Sequence, residues 1–266
     1  MLKVLKKIFC TMGAVIASSS ISACDGTNIS AEEIRNTQAK TCLTSKDSIL
    51  YEYNGFKYEE TNNGINLVKY IGNERDVIIP EIINNQYVTS IDARCFINNS
   101  NEDIINSVTV PSSIDEISPL AFYNSKFLQI INCEDNDNFL SDNGVLYTSD
   151  MAYLIAYPEN KPDKEYQIPN TVSKIYNNAF SYCNNLESLT LPESLEAIPD
   201  YTFAYNSSIT KVVIPENVKE IGFAAFCQCP NLKKIVLPNN DIVINDEAII
   251  FCEQLETVEY KDTTKK

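Results

Sequence analysis

From residue 168 onward the apolar positions recur every 23 residues. Pro169, Pro192, Pro215 and Pro238 mark the period. Before each stands Ile168, Leu191, Ile214 or Leu237. Three residues after it come Val172, Leu195, Val218 and Asp241, the one polar departure; six after it, Ile175, Ile198, Ile221 and Ile244. Eleven after it come Phe180, Phe203, Phe226 and Ile249; then Leu186, Ile209, Leu232 and Leu255; then Leu189, Val212, Ile235 and Val258. A fixed period in the twenties is the signature of a stacked solenoid. The alternation in Leu189-Thr190-Leu191 and Val212-Val213-Ile214 predicts one strand per repeat, ended by the proline. Small residues before the aromatic, Ala121, Ala179, Thr202, Ala225 and Ala248, predict a tight turn.

The register runs backward through Pro111, with Val110, Ile114, Ile117, Phe122, Leu128 and Ile131 at the same offsets. An earlier copy begins at Pro80 with five extra residues, Ile82 to Gln86, expected as a loop. Asn98 to Asn101 is a second excess. The longest insertion lies between Pro111 and Pro169, where Val145–Thr148 and Tyr153–Tyr157 read as a β-hairpin turning at Thr148–Met151, projecting from or lying along the stack, with Pro158 ending the second run. Asn143-Gly144 marks the turn into the first of these runs. Asn62-Asn63-Gly64, between Phe56–Glu59 and Ile65–Tyr70, signals another hairpin, a candidate N-terminal cap. The expected division is 1–23 leader, 24–50 polar tether, 51–79 cap, 80–260 solenoid (132–166 containing the hairpin insertion) and 261–266 tail.

One 23-residue copy offers too few apolar positions to bury alone. Stacked copies set Ile over Ile and Phe over Phe, about 4.8 Å per coil where strands pair. The pattern L-x-x-L-x-L-P-x-x-[LV]-x-x-I-x-x-x-A-F-x-x-C-x-x resembles the BspA-type leucine-rich repeat over roughly residues 53–260. That resemblance implies a curved, β-rich, right-handed solenoid, here with an inserted β-hairpin and an N-terminal β cap. It further implies a cell-surface or secreted binding role, and brings no catalytic residues with it. Asp241, Ile249 and the enlarged first copy depart from the pattern.

Lys3, Lys6 and Lys7 precede an apolar run from Ile8 to Ala17 and then small residues up to Ala23, the layout of a secretory signal peptide. That run is about half the ~20 residues that span a bilayer. Ile21-Ser22-Ala23-Cys24 resembles the bacterial lipoprotein box, so Cys24 is the expected lipidation site. The alternative is an ordinary signal peptide cut near Ala23. Several acyl chains on Cys24 would hold the chain to a membrane.

Losing the three leader lysines takes the net charge of −15 to about −18. Such a surface disfavours nucleic acid, which needs clustered Lys and Arg. Nine cysteines are unusual in an exported chain. Yet Cys183, Cys229 and Cys252 share one repeat position, with Asn206 between the first two, and read as a buried row of small hydrophobes. Cys183 and Cys229, two coils apart, are beyond disulfide reach; Cys229 and Cys252 are on adjacent coils. A thiolate metal site from Cys227, Cys229 and Cys252 lacks a fourth ligand and C-x₂-C spacing. No histidine is present, which excludes His-activated nucleophiles and His-ligated zinc. No Gly-rich phosphate loop occurs, so no cofactor and no enzymatic activity are expected.

Two functional readings remain. One is a lipid-anchored surface module, a monomer recognising a protein or glycan; the other is an envelope component assembling through the solenoid ends. Candidate contact residues for the first are Tyr182 and Tyr205, stacked on neighbouring coils, Tyr176 and Tyr201 nearby, and Tyr147 and Tyr153 in the insertion. Tyrosine gives large contact area at low entropic cost, although a tyrosine ladder also serves the stack itself.

Overall fold

The computed structural model describes residues 49–97, 105–239 and 241–261, and the backbone of a short antiparallel pairing of Ile21–Ser22 with Asn28–Ile29. That pairing belongs to a unit ending at Ile49; the unit from Leu50 is described below. Among the described residues there are strands and turns but no helix.

Each coil contributes to two parallel ladders. The first comprises Asp76–Ile78, Ser107–Val110 and Ile130–Cys133, then Glu165–Gln167 with Ser188–Thr190, then Lys211–Val213, Lys234–Leu237 and Thr257–Tyr260. The second comprises Gln86–Ile91 with Glu116–Ile117, then Tyr153–Ala156 with Lys174–Ile175, then Ala197–Ile198, Glu220–Ile221 and Val243–Ile244. The pairing register equals the sequence period: Val212 opposes Ile235, which opposes Val258, and Ile198 opposes Ile221, which opposes Ile244. The predicted β-solenoid is therefore the observed fold.

Between the ladders the chain turns through an arc carrying the aromatic row. Phe180, Phe203 and Phe226 are fully buried, with successive ring centroids 5.5 and 5.3 Å apart; Phe96 and Phe122 repeat the contact at 5.3 Å. Each fully buried ring or aliphatic side chain is worth roughly 1.5–3 kcal/mol, and successive coils share them, so the coils stabilise one another. The arc turns tightly because one or two residues per coil adopt a left-handed backbone. One set lies two before the aromatic (Arg94, Asn178, Tyr201, Ala224). The other lies two after it (Asn124, Tyr182, Tyr205, Gln228, Phe251), at φ between 53° and 64°. Non-glycine residues pay about 1–2 kcal/mol for this conformation, which the packed rows on either side outweigh.

The first coil is preceded by an antiparallel meander of Tyr51–Tyr53, Phe56–Thr61 and Gly64–Tyr70, whose last strand joins the second ladder by pairing in parallel with Gln86–Ile91. The Ile82–Gln86 stretch, expected as a loop, is instead the start of a hairpin: Ile82–Ile83 pairs antiparallel with Gln86–Tyr87. Asn84 and Asn85, at φ 50° and 64°, supply the two left-handed positions a two-residue hairpin turn requires, and asparagine tolerates them. The long insertion is a three-stranded meander of Phe139–Asp142, Val145–Thr148 and Tyr153–Ala156. Its last strand pairs in parallel with Lys174–Ile175, so the insertion supplies a strand of the second ladder instead of projecting. Asn143 and Gly144 (φ 50° and 80°) make its tight turn, and the Gly144 carbonyl accepts the Ile131 N–H at 3.0 Å.

Candidate binding surface

The tyrosines named from the sequence fall in three environments. Tyr182 and Tyr205 stack as expected, centroids 4.5 Å apart and planes 2° from parallel, with Tyr123 edge-on to Tyr182 at 5.8 Å. Tyr205 and Tyr201 are nonetheless buried, so they belong to the turn arc and offer little contact area. Tyr147 is fully buried, its hydroxyl against that of Tyr166. With Tyr157 and Tyr166 it fills the space where the insertion interrupts the phenylalanine row; the Tyr157 ring stacks on Phe180 at 5.0 Å. An exposed contact role for Tyr147, Tyr201 and Tyr205 is corrected on that ground: a phenol buried to complete the stack presents little to a partner. Tyr153 and Tyr176 are half-buried and edge-to-face at 6.1 Å, with the Lys174 ammonium 5.2 Å from the Tyr153 ring. Cys24 lies outside the described residues, as do the proposed leader and tether apart from the backbone of Ile21–Ser22 and Asn28–Ile29 and residues 49–50.

The cysteine row has a duty that hydrophobicity did not reveal. The residue three after each aromatic donates to the aromatic carbonyl of the preceding coil. Ser125 Oγ reaches Phe96 O at 3.0 Å, Asn206 Nδ2 reaches Phe180 O at 2.8 Å, Cys229 Sγ reaches Phe203 O at 3.1 Å and Cys252 Sγ reaches Phe226 O at 2.9 Å. Cys183 lies 3.9 Å from Tyr157 O in the same relation. The row is buried as expected, and its members are in addition donors that satisfy carbonyls of the tight arc. Burial pushes the Cys183 thiol well up, which keeps it protonated and able to donate. The described cysteines are free thiols, and no group of three metal-ligating side chains occurs among the described residues.

Glu159 is a second buried polar feature. It follows the insertion, and its carboxylate accepts the N–H groups of Asn124 and Ser125 across the break in the repeat. Its Oε1 has no partner. Burial pushes its carboxyl up to about 8, against the smaller opposing pull of those two N–H groups and of Lys126.

Two grooves open on the ladders. One, of about 330 Å³, lies where the cap meets the second ladder and is lined by Asn66, Ser90, Asp92, Asp115 and Glu116 among others. The other, of about 390 Å³, lies on the first ladder between the coils of Ser188–Thr190 and Lys211–Val213, with Glu193 and Lys261 at its edge. The outward positions Thr190 and Val213 that line it, and Gln167 paired with Thr190, are exposed. No sequence signal marked either groove, since both are made by outward residues on which the repeat places no constraint.

A family model described as the BspA type leucine rich repeat region, in six copies, matches residues 68–160 and 156–266. No curated protein matches the chain. Among solved structures, a leucine-rich repeat protein from Eubacterium ventriosum superposes with a TM-score of 0.57 at 23% identity, over 70% of this chain and 55% of that one. The chain thus spans about half the length of that relative. A leucine rich cell surface protein from Faecalibacterium prausnitzii gives a TM-score of 0.48 at 16% identity, over 83% of this chain and 97% of that one.

Proposed function

This chain belongs to the BspA-type leucine-rich repeat family, and from that premise we propose that it is an exported, lipid-anchored module that recognises a protein or glycan at the cell surface. The observation that supports this reading is the outward face of the first ladder. Glu165, Gln167, Ser188, Thr190, Lys211 and Val213 are exposed side by side on coils whose inward residues are fully committed to the stack. A rigid, periodic array of side chains without internal duties suits recognition, because binding it costs little ordering. The face carries no catalytic constellation, and the family's sites are surfaces rather than reaction centres. Lipidation of Cys24 supplies the anchor, and the acidic surface keeps the module apart from nucleic acid.

The test has two arms. Cells expressing the full chain and a Cys24→Ser variant are fractionated and surface-labelled; the anchor reading expects the parent in the membrane fraction and the variant released. The chain lacking residues 1–24 is then used for capture on intact cells and immobilised glycans. Retention of the Cys24→Ser variant in the membrane would overturn the anchor, and absence of any saturable partner would overturn the recognition reading.

Assembly through the ends is the second reading, favoured by two edge strands, Tyr51–Tyr53 and Thr257–Tyr260, each paired on one side only among the described residues. Sedimentation at high concentration separates the two: a monomer removes the assembly reading.

A further inference from the structure

The two ladders are interrupted at the same coil boundary. In the first, Ser188–Thr190 pairs with Glu165–Gln167, and Lys211–Val213 pairs with Lys234–Leu237, yet no ladder pairing joins Ser188–Thr190 to Lys211–Val213. In the second, Lys174–Ile175 pairs with Tyr153–Leu154 and Ala197–Ile198 with Glu220–Ile221, yet the two pairs are not joined to each other. Part of the cause is Pro199. At the matching place in other coils an N–H donates to the coil before: Tyr176 to Leu154 O, Gly222 to Ile198 O and Asn245 to Ile221 O, each at 2.8–2.9 Å. Proline has no N–H to give.

The turn arc ties the two coils: Phe180 N–H donates to Thr202 O and Tyr182 N–H to Ala204 O, both at 3.0 Å, with the Asn206 side chain and the Tyr182–Tyr205 stack beside them. On the second-ladder side Glu196 N–H donates to Ser173 O at 3.2 Å, and Ser194 Oγ donates to Asn170 O at 2.9 Å and Val172 O at 2.6 Å. This boundary is therefore a seam, closed along the arc and beside the second ladder and open along the first ladder, and the groove of about 390 Å³ lies over that open side.

Alternation says which groups face the seam. Ser188 N–H is spent on Lys164 O and Thr190 O on Ile168 N–H, both on the preceding coil; Thr210 O and Ile214 N–H are spent on the following one. In a parallel strand successive residues bond to opposite sides. The main-chain groups of Leu189 and Leu191 therefore face those of Lys211 and Val213, and no hydrogen bond crosses between them.

We propose that this seam is a recognition site for an extended peptide segment of a partner protein, which pairs its main chain with Leu189 and Leu191 on one wall and Lys211 and Val213 on the other. Unpaired main-chain donors and acceptors in strand spacing are the chemistry another strand completes. The lining holds no aromatic ring on which a sugar could stack, which selects peptide over glycan. Seating a strand sets the walls about twice the ~4.8 Å strand spacing apart. Opening the first-ladder side breaks no ladder pairing, with the arc and the Ser194 and Glu196 bonds beside the second ladder staying closed as the hinge. The proposal deepens the recognition reading above and rests on it.

The test uses the uniformly ¹⁵N-labelled chain from residue 25 and, as probe, an acetylated and amidated hexapeptide of alternating threonine and valine. In the free protein the amides of Leu189, Leu191, Lys211 and Val213 are expected to exchange with D₂O at least tenfold faster than the ladder-paired amides of Val212 and Val236. Millimolar peptide should shift those four resonances and slow their exchange, whereas the peptide N-methylated at alternate amides should not. Val213→Pro removes a seam donor without breaking an internal hydrogen bond, and Thr190→Trp blocks the groove while leaving the main chain intact; each is expected to weaken binding at least tenfold. Protection of the four amides in the free protein equal to that of Val212 and Val236 would show a closed seam and overturn the proposal. So would peptide shifts confined to other residues, no shifts at all, or shifts produced by an oligosaccharide and not by the peptide. A cell-surface partner captured through a different face would overturn the seam while leaving the recognition module standing.

Discussion

The side-chain amide of Asn206 donates to the carbonyl of Phe180 one coil away at 2.8 Å and to that of Phe203 in its own coil at 2.9 Å. Removing it leaves the buried Phe180 carbonyl without this donor, while Phe203 O keeps the Cys229 thiol, so Asn206→Ala is expected to cost about 1–3 kcal/mol in denaturant unfolding. Asn206→Cys should recover part of the loss, since a thiol performs this duty in the coils above. By the same argument Cys252→Ser should stay within about 1 kcal/mol of the parent while Cys252→Val, which loses the donor to Phe226 O, should lose about 1–3 kcal/mol. Equal effects of serine and valine would return the row to simple packing.

Tyr182 and Tyr205 are parallel and in contact across the seam. A double-mutant cycle with Tyr182→Ala and Tyr205→Ala should give a coupling of about 0.5–1.5 kcal/mol in unfolding free energy. Additive single effects would mean the stack contributes nothing beyond burial.

Glu159 sets a pH dependence of definite sign. Its folded-state value, about 8, lies above the usual 4.5, so the folded chain holds a proton that the unfolded chain releases. Its contribution is fully present below pH 4.5 and is lost as pH rises to about 8. Within that window the slope is at most ~1.4 kcal/mol per pH unit. Glu159→Gln, neutral throughout, should flatten the difference in stability between pH 5 and pH 8 relative to the parent. An unchanged slope in urea titrations would show that Glu159 is ionised in the fold.

Gln228 holds φ at 53°. Gln228→Gly is expected to be neutral or stabilising by up to about 1 kcal/mol, since glycine adopts this conformation without strain. Gln228→Val, branched at Cβ, should destabilise by more than about 1 kcal/mol. Thermal unfolding of the two variants distinguishes this backbone effect from any role of the amide side chain, which both remove.

The inward rows were legible because burial acts on side-chain type at a fixed interval. Ile198, Ile221 and Phe203, Phe226 announce both the period and the face they share. The arc was less legible. Its needs are carbonyls to be satisfied and left-handed backbone positions, and Ser, Cys and Asn can all answer the first, so Cys229 looked like one more small apolar residue. The same applies to Tyr147 and Tyr205: an aromatic at a surface-like offset is drawn inward when an insertion or a tight turn leaves space beneath it. Ile82–Gln86 was read as a loop because five residues break the count, although Asn84-Asn85 is the chemistry of a hairpin turn. The seam left only one written trace, Pro199, which reads as an ordinary turn residue until the donors it replaces are seen on the neighbouring coils.

That seam also orders how the molecule yields to tension. In a solenoid each coil is held by its immediate neighbours alone, so a load applied along the stack is borne in series and the least-laced junction parts first. Among the coils from Tyr153 onward that junction lies between the coil of Pro169 and the coil of Pro192. A chain fixed at one end and pulled at the other would separate there into two folded blocks before either block frayed, lengthening in a discrete step and exposing both inner walls at once.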